Sequence, residues 1–263
     1  MTLGIITSFD DKGFQEAKSL GLDFIEICYN VGNDCKEFYN DRAALKERTE
    51  KYGVKIGSIG RWGSDKIDEN GKIIEEELKN SYLLIDVCSE LGCEVFNTGV
   101  NYRDNFSFYE NVGFAVDFLG KLCEYGRKKG VDIATYNCDW NNFVREPKVW
   151  KLTHNYLKEL GIKYDPSHCI NSGSGDYLGE MVEWGDRFYH FHLKGTLNIN
   201  GNHVDDPPAG LDMINWSAVM GILYAKGYNR TLSIEPHSRT WKGDLGAWGV
   251  RYTVDYMSKL IYR

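Results

Sequence analysis

The 263-residue chain is notable first for what it lacks. No stretch approaches the ~20 consecutive apolar residues of a membrane-spanning helix, so a membrane partner is not expected. The start, Met1-Thr-Leu-Gly-Ile-Ile-Thr-Ser, has neither the charged beginning nor the longer apolar run of a secretory signal. Lysines and arginines are scattered and the net charge is −7, the opposite of the basic stripe that tracks a phosphate backbone, so no nucleic-acid partner is expected. The 7 cysteines are odd in number and form no Cys-x-x-Cys pair, which argues for free thiols in a reducing, cytoplasmic setting. There is no Pro/Ser-rich linker and no glycine-rich phosphate loop after the first strand. A single domain spanning residues 1–263 is therefore expected, and an open dinucleotide-binding sheet is disfavoured.

What is present is a repeat of organisation. A helix-like run, a glycine and a short β-rich run recur at Leu20-Gly21, Tyr52-Gly53, Leu91-Gly92, Lys129-Gly130, Leu160-Gly161, Trp184-Gly185 and Lys226-Gly227. Glycine suits such a junction because a helix commonly ends on a left-handed residue, which only glycine adopts without a Cβ penalty. Seven junctions plus a first strand at Leu3–Thr7 make eight strands. Between them, Ile73–Leu91, Phe114–Tyr125 and Trp216–Ala225 carry apolar residues at helical spacing. Eight alternating units in a chain of this length match an α/β fold of the (β/α)8 TIM barrel type, with 42% hydrophobic content available for its core.

The barrel directs attention to the C-terminal strand ends, where such folds carry their chemistry. Phe188-Tyr-His-Phe-His-Leu-Lys194 has His190, His192 and Lys194 on one parity and hydrophobic side chains on the other. As a strand, it would turn two imidazoles and an ammonium to one face, which is costly unless polar partners meet them there. Asp165, His168, His192 and Glu235 fall at the ends of three successive strands and can converge. Two carboxylates and an imidazole suit a divalent ion such as Mn²⁺, Zn²⁺ or Mg²⁺, and the histidine argues against a cage of oxygens alone. The plainer alternatives are hydrogen-bonded core histidines, a turn-forming Asp165 before Pro166 and a capping Glu235 before Pro236. Trp62, Tyr102, Trp140 and Trp241 fall in top loops with Arg61, Arg103, Asn137, His203, His237 and Arg239, a mixture of rings and hydrogen-bonding groups suited to a sugar.

Asp165-Pro-Ser-His168, Gly185-Asp-Arg-Phe-Tyr-His-Phe-His-Leu-Lys194 and Leu232-Ser-Ile-Glu235-Pro-His resemble the xylose isomerase-like TIM barrel superfamily. That group holds sugar phosphate isomerases and epimerases, inosose dehydratase-type enzymes and the family 2 AP endonucleases. Asp206-Pro-Pro-Ala-Gly-Leu-Asp212-Met-Ile-Asn-Trp216 is similar to the segment between the last two barrel strands of the family. The resemblance implies metal ligation by Asp165, His192 and Glu235, with His168 and Lys194 beside the substrate. Glu26, Arg61, Trp62, Tyr136, Asn137, His190 and His237 are expected to complete a substrate-binding set. The epimerase branch carries a glutamate at the end of strand five, both ligand and base; here Tyr136-Asn137 stands in its place, with Asp139, Glu26 or a ligand oxygen as candidates to fill the gap. Lys194-Gly195 likewise replaces the usual Lys-Asp pair.

The function expected is metal-assisted proton abstraction beside a carbonyl of a sugar or keto-sugar, by a sugar isomerase or epimerase with Glu235 or His168 as base. A keto-sugar lyase or dehydratase and a catalytically degenerate sugar-binding subunit are the alternatives, and the acidic charge disfavours an endonuclease. Assembly into a homo-oligomer is common for such barrels.

Overall fold

The computed structural model describes residues 1–262. Eight parallel strands close into a barrel: β1 (Thr2–Ile6), β2 (Phe24–Cys28), β3 (Lys55–Arg61), β4 (Val95–Thr98), β5 (Asp132–Tyr136), β6 (Gly161–Tyr164), β7 (Phe188–Leu193) and, after a two-stranded excursion, β10 (Thr231–Ile234). The excursion is the antiparallel hairpin β8 (Leu197–Ile199) and β9 (Asn202–Asp205), a feature the junction pattern does not announce. Around the barrel run α1 (Asp11–Ser19), α2 (Cys35–Asn40), α3 (Arg42–Tyr52), α4 (Glu75–Leu91), α5 (Phe108–Lys129) and α6 (Pro147–Tyr156). They are followed by α7 (Pro166–Asn171), α8 (Tyr177–Trp184), α9 (Trp216–Ala225) and α10 (Gly243–Ser258). The (β/α)8 architecture inferred from the repeat is the one observed. Among the described residues no helix is long and apolar enough to cross a membrane.

Local chemistry sets the boundaries. The first strand lies one residue earlier than expected, and α4 begins at Glu75 rather than Ile73. Helix α5 extends well beyond Phe114–Tyr125, because Ser107 and Glu110 form a reciprocal capping box that starts it at Phe108. Five junction glycines (21, 53, 92, 130 and 227) do take left-handed φ angles of 66–70°. The other two serve differently. Gly185 is right-handed, with φ −55°, and opens a short 3-10 turn. Gly161 already lies within β6, and a Cβ built on it would stand 2.0 Å from the Tyr189 ring. There glycine is required by close packing between neighbouring strands.

The buried pair Arg61–Glu77 ties the top of the barrel together. The Arg61 guanidinium donates to Glu77 on α4 at 2.8 and 3.3 Å and to the carbonyls of Asn30 and Asn33 at 2.6 and 3.3 Å. Ser64 and Lys66 add donors to the same carboxylate at 2.7 and 3.3 Å. Burial alone would raise the Glu77 pKa, but Arg61, Lys66 and Ser64 outweigh it and hold the group at about 2, while burial brings Lys66 down to about 8.

Two stability outcomes follow from these contacts. Gly161→Ala is expected to cost about 1–3 kcal/mol in urea unfolding, through overpacking against Tyr189. Glu77→Gln leaves two buried cations without their anion and is expected to cost about 3–5 kcal/mol at neutral pH. The ionised carboxylate stabilises above its ordinary pKa of 4.5, and this contribution is lost as pH falls toward about 2, so the gap between wild type and variant should close over that window. Equal stability at neutral pH would sink the ion-pair account.

Candidate active site at the barrel mouth

The site is built on a buried carboxylate. Glu26 projects inward from β2 and is fully buried between the two histidines of β7. His190 Nε2 approaches Glu26 Oε2 at 2.8 Å and His192 Nε2 approaches the same oxygen at 2.9 Å. The other face of His190 is closed by Thr231 Oγ1 at 2.6 Å, with Ser58 Oγ 3.3 Å from Nε2. Burial works against the Glu26 charge, but the imidazoles prevail and hold it well below the usual carboxylate range. Burial pushes His190 down; His192 is also desolvated, yet Glu26 and Glu235 raise it. His192 has a carboxylate at each ring nitrogen, with Nδ1 2.6 Å from Glu235 Oε2, so in this geometry both nitrogens act as donors.

Above this floor lies the reactive layer. Asp165 ends β6 and caps α7, its Oδ1 accepting the Ser167 amide at 2.9 Å. Asn137 clamps the Asp165 backbone from both sides, donating to its carbonyl at 2.8 Å and accepting from its amide at 2.9 Å. Asp165 Oδ2 is buried and has no hydrogen-bond partner. Around it stand Lys194 Nζ at 3.4 Å, His168 Nε2 at 3.5 Å and His192 Nδ1 at 3.9 Å. Lys194 also lies 3.3 Å from His168 Nε2 and 3.8 Å from Glu235 Oε1. Burial opposes charge on every member. It drives His168 down to about 3 with help from Lys194, whereas Lys194 and His168 overcome it at Asp165 and hold that carboxyl at about 2. Lys194 and His192 likewise keep Glu235 well below its ordinary value, and the carboxylates raise Lys194. At neutral pH the layer thus holds ionised Asp165 and Glu235, protonated Lys194 and a neutral His168.

Asp165, His192 and Glu235 each offer a ligand atom, all within 4.8 Å of one another. An orphaned buried carboxylate oxygen, a second carboxylate and an imidazole form a donor set that fits a divalent ion, and three protein ligands leave positions open for substrate oxygens. A fourth ligand does not come from strand five. Tyr136 is buried in a stack against Trp62, its hydroxyl donating to the Trp140 carbonyl at 3.3 Å. Asp139 pairs with Arg145 at 3.2 Å, and Glu26 is held by the two histidines beneath.

Several expected substrate contacts need correction. Arg61 is committed to Glu77 and the Asn30 and Asn33 carbonyls, so its guanidinium is a structural tie. Glu26 and His190 are sealed beneath the reactive layer, and Tyr136 and the Asn137 amide are engaged in local hydrogen bonds. His168 sits on helix α7 rather than in a loop. Trp62 and His237 do line the cavity over the reactive layer, about 470 Å³ in volume, together with Trp140, His168, His192, Lys194 and Glu235. His237 leans on Asp206 at 3.1 Å, whose other oxygen meets His203 at 2.8 Å. Arg103 turns away to Asp65 at 2.7 Å, and Trp241 stacks on Trp248. Among the charged residues that line the cavity, Lys163 on β6 is one that the sequence reading does not single out. Its signal was available, since Lys163 lies two residues before Asp165 and shares its parity in the strand.

The model of the xylose isomerase-like TIM barrel family matches residues 14–255. No curated protein matches the sequence. Among solved structures, a D-allulose 3-epimerase from Methylomonas sp. superposes with a TM-score of 0.78 at 17% identity, covering 99% of this chain and 98% of that one. A 3-keto-D-glucoside 4-epimerase from E. coli gives 0.72 at 16% identity over 99% and 98% of the two chains. A probable 3-DHS dehydratase from Bacillus anthracis gives 0.71 at 14% identity over 98% and 99%. At such identities the superpositions speak for the fold, and the family model speaks for membership. The chain belongs to the xylose isomerase-like TIM barrel family.

Proposed function

We propose that the protein is a sugar isomerase or epimerase that removes a proton beside a carbonyl of a sugar or keto-sugar. The observation that carries this reading is the convergence of Asp165, His192 and Glu235 within 4.8 Å, with His168 and Lys194 in contact, at the floor of a cavity of about 470 Å³. The volume suits a small polar metabolite. The naming of similarly folded proteins as a D-allulose 3-epimerase and a 3-keto-D-glucoside 4-epimerase supports the same class.

Glu235 is assigned as the base. Its side chain is 18% exposed toward the cavity, whereas the Asp165 and Glu26 side chains are 0% exposed. It is ionised at neutral pH and so can accept a proton from carbon, and it can return that proton to the same or the adjacent atom. His168 stays neutral and offers a hydrogen bond to a substrate hydroxyl, held in place by Lys194. Asp165, His192 and Glu235 would hold a divalent ion, which when bound supplies Lewis acidity that makes the neighbouring C–H more acidic. Glu26 orients His192 from below, the part a carboxylate plays behind a ligating imidazole.

A second reading is favoured by one observation. Strand five ends in Tyr136 and Asn137, both engaged in hydrogen bonds, and the carboxylate of the following loop, Asp139, is paired with Arg145, which leaves Glu235 as the one base assigned here. One base suffices for β-elimination of water from a keto-sugar. The named dehydratase among the similar folds agrees with that option.

Incubation with candidate keto-sugars in D₂O distinguishes these outcomes by NMR. The expected result is deuterium incorporation beside the carbonyl, with an epimer or positional isomer as product; loss of water would identify the lyase. Absence of exchange in every sugar that binds would overturn both readings. Chelator treatment should abolish exchange and added Mn²⁺ or Zn²⁺ should restore it. Glu235→Gln is expected to slow exchange about 10²–10⁴-fold. Glu26→Gln should weaken Mn²⁺ affinity about 10–100-fold by calorimetry, since it removes the carboxylate that orients His192. Unchanged affinity would remove Glu26 from that supporting role.

A further inference from the structure

Lys163 is a buried lysine that, among the described residues, makes no side-chain hydrogen bond. It lies on β6 in register with His190 of β7 and, two residues before Asp165, faces the same inner side of the barrel. The residue is only 2% exposed, yet it lines the mouth cavity beside His192, Lys194 and Glu235. The other two buried lysines are well partnered: Lys66 by Glu77 and Ser64, Lys194 by Asp165, Glu235 and His168. Among the described residues no hydrogen bond or ion pair engages the Lys163 ammonium. Asp165 and Glu235 lie close enough to feel Lys163, but neither hydrogen-bonds it. Cys28 and Cys138, which line the same cavity, supply no anion because burial keeps both thiols protonated. The cavity is the open direction for its Nζ, where an oxygen of a ligand can meet it.

We propose that Lys163 binds the reacting oxygen of the substrate, the carbonyl oxygen that gains negative charge as the adjacent C–H proton leaves. The inference rests on the functional reading above. The C–H bond breaks and its proton passes to Glu235. The released electron pair forms the new carbon–carbon double bond, and the carbonyl π pair moves onto oxygen. Lys163 supplies N–H donors at that oxygen; a fixed donor aimed where charge develops favours the transition state over the neutral ketone. For isomerisation Glu235 returns the proton to the former carbonyl carbon while the proton of the neighbouring hydroxyl passes to the oxygen held by Lys163; return to the opposite face of the original carbon gives the epimer instead.

The test uses two probes of matched chain: D-gluconate, which carries a permanent carboxylate, and D-glucitol, which carries none. Calorimetry on chelator-treated and on Mn²⁺-loaded protein should show wild type preferring gluconate. Lys163→Met should lose roughly ten- to a hundredfold of that preference while glucitol binding holds within about twofold. The variant should unfold at about the same temperature as wild type, because no hydrogen bond or close ion pair is lost; a structural role predicts a fall instead. For any keto-sugar that exchanges, Lys163→Met should slow exchange about 10²–10³-fold, mainly in kcat. A wild type without gluconate preference, or a variant that keeps it, overturns the assignment. Exchange that proceeds with no dependence on Lys163 overturns the role of this residue alone. Gluconate preference that depends on Lys163, with no sugar exchanging, overturns the isomerase reading and leaves an anion-binding lysine.

Discussion

A carboxylate sealed inside a barrel and shared by two imidazoles is the constraint on which this site depends. Glu26 has no access to water, so its charge persists only because His190 and His192 both point at it. Removing water makes each of these hydrogen bonds stronger and each unmet group more costly. The two rings are therefore fixed in position, and the orientation of His192 fixes which nitrogen is offered to Asp165 and Glu235 above. Thr231 and Ser58 extend the same arrangement sideways into β10 and β3. Four strands thus position one ligand atom.

The reactive layer uses the rigidity beneath it. Two carboxylates are brought together in a small volume, which would be unfavourable without the Lys194 cation placed between them. Lys194 lies near both Asp165 and Glu235, and His168 stays neutral because burial and the lysine act together on it. The result separates two kinds of carboxylate. Asp165 is clamped by Asn137 and closed to solvent, while Glu235 opens to the cavity. The difference in exposure, rather than any difference in residue type, is what singles out Glu235 as the base within the ligand set. On the strand-five side, Tyr136 and Asn137 hold the wall and the Asp165 backbone, while Lys163 of the neighbouring strand lines the cavity.

Much of this was legible in the chain. Alternation in Phe188–Lys194 places both histidines inward, because a strand with helices outside and a filled interior has only two faces to choose from. The placement of Asp165, His192 and Glu235 at successive strand ends follows from counting strands, and α9 falls where its apolar spacing puts it. The expectations that failed share a cause. Arg61, Tyr136 and Asn137 stand at strand ends just as the site residues do, but Arg61 meets Glu77 of α4, Tyr136 stacks on Trp62 and Asn137 holds the Asp165 backbone, partners that other elements supply. Gly161 fits the junction pattern and yet is needed for the Tyr189 ring of the next strand.

Local periodicity, turn chemistry and the spacing of polar residues were thus enough to determine the barrel and the rim on which its chemistry lies, since these depend on neighbours within a few positions. The tertiary structure decided which polar side chains meet one another and which meet the cavity. That choice depends on pairings across the barrel, such as Glu26 with residues more than 160 positions away. It also depends on burial, which sets whether a given imidazole, carboxylate or ammonium is a tie, a ligand or a group left facing the ligand.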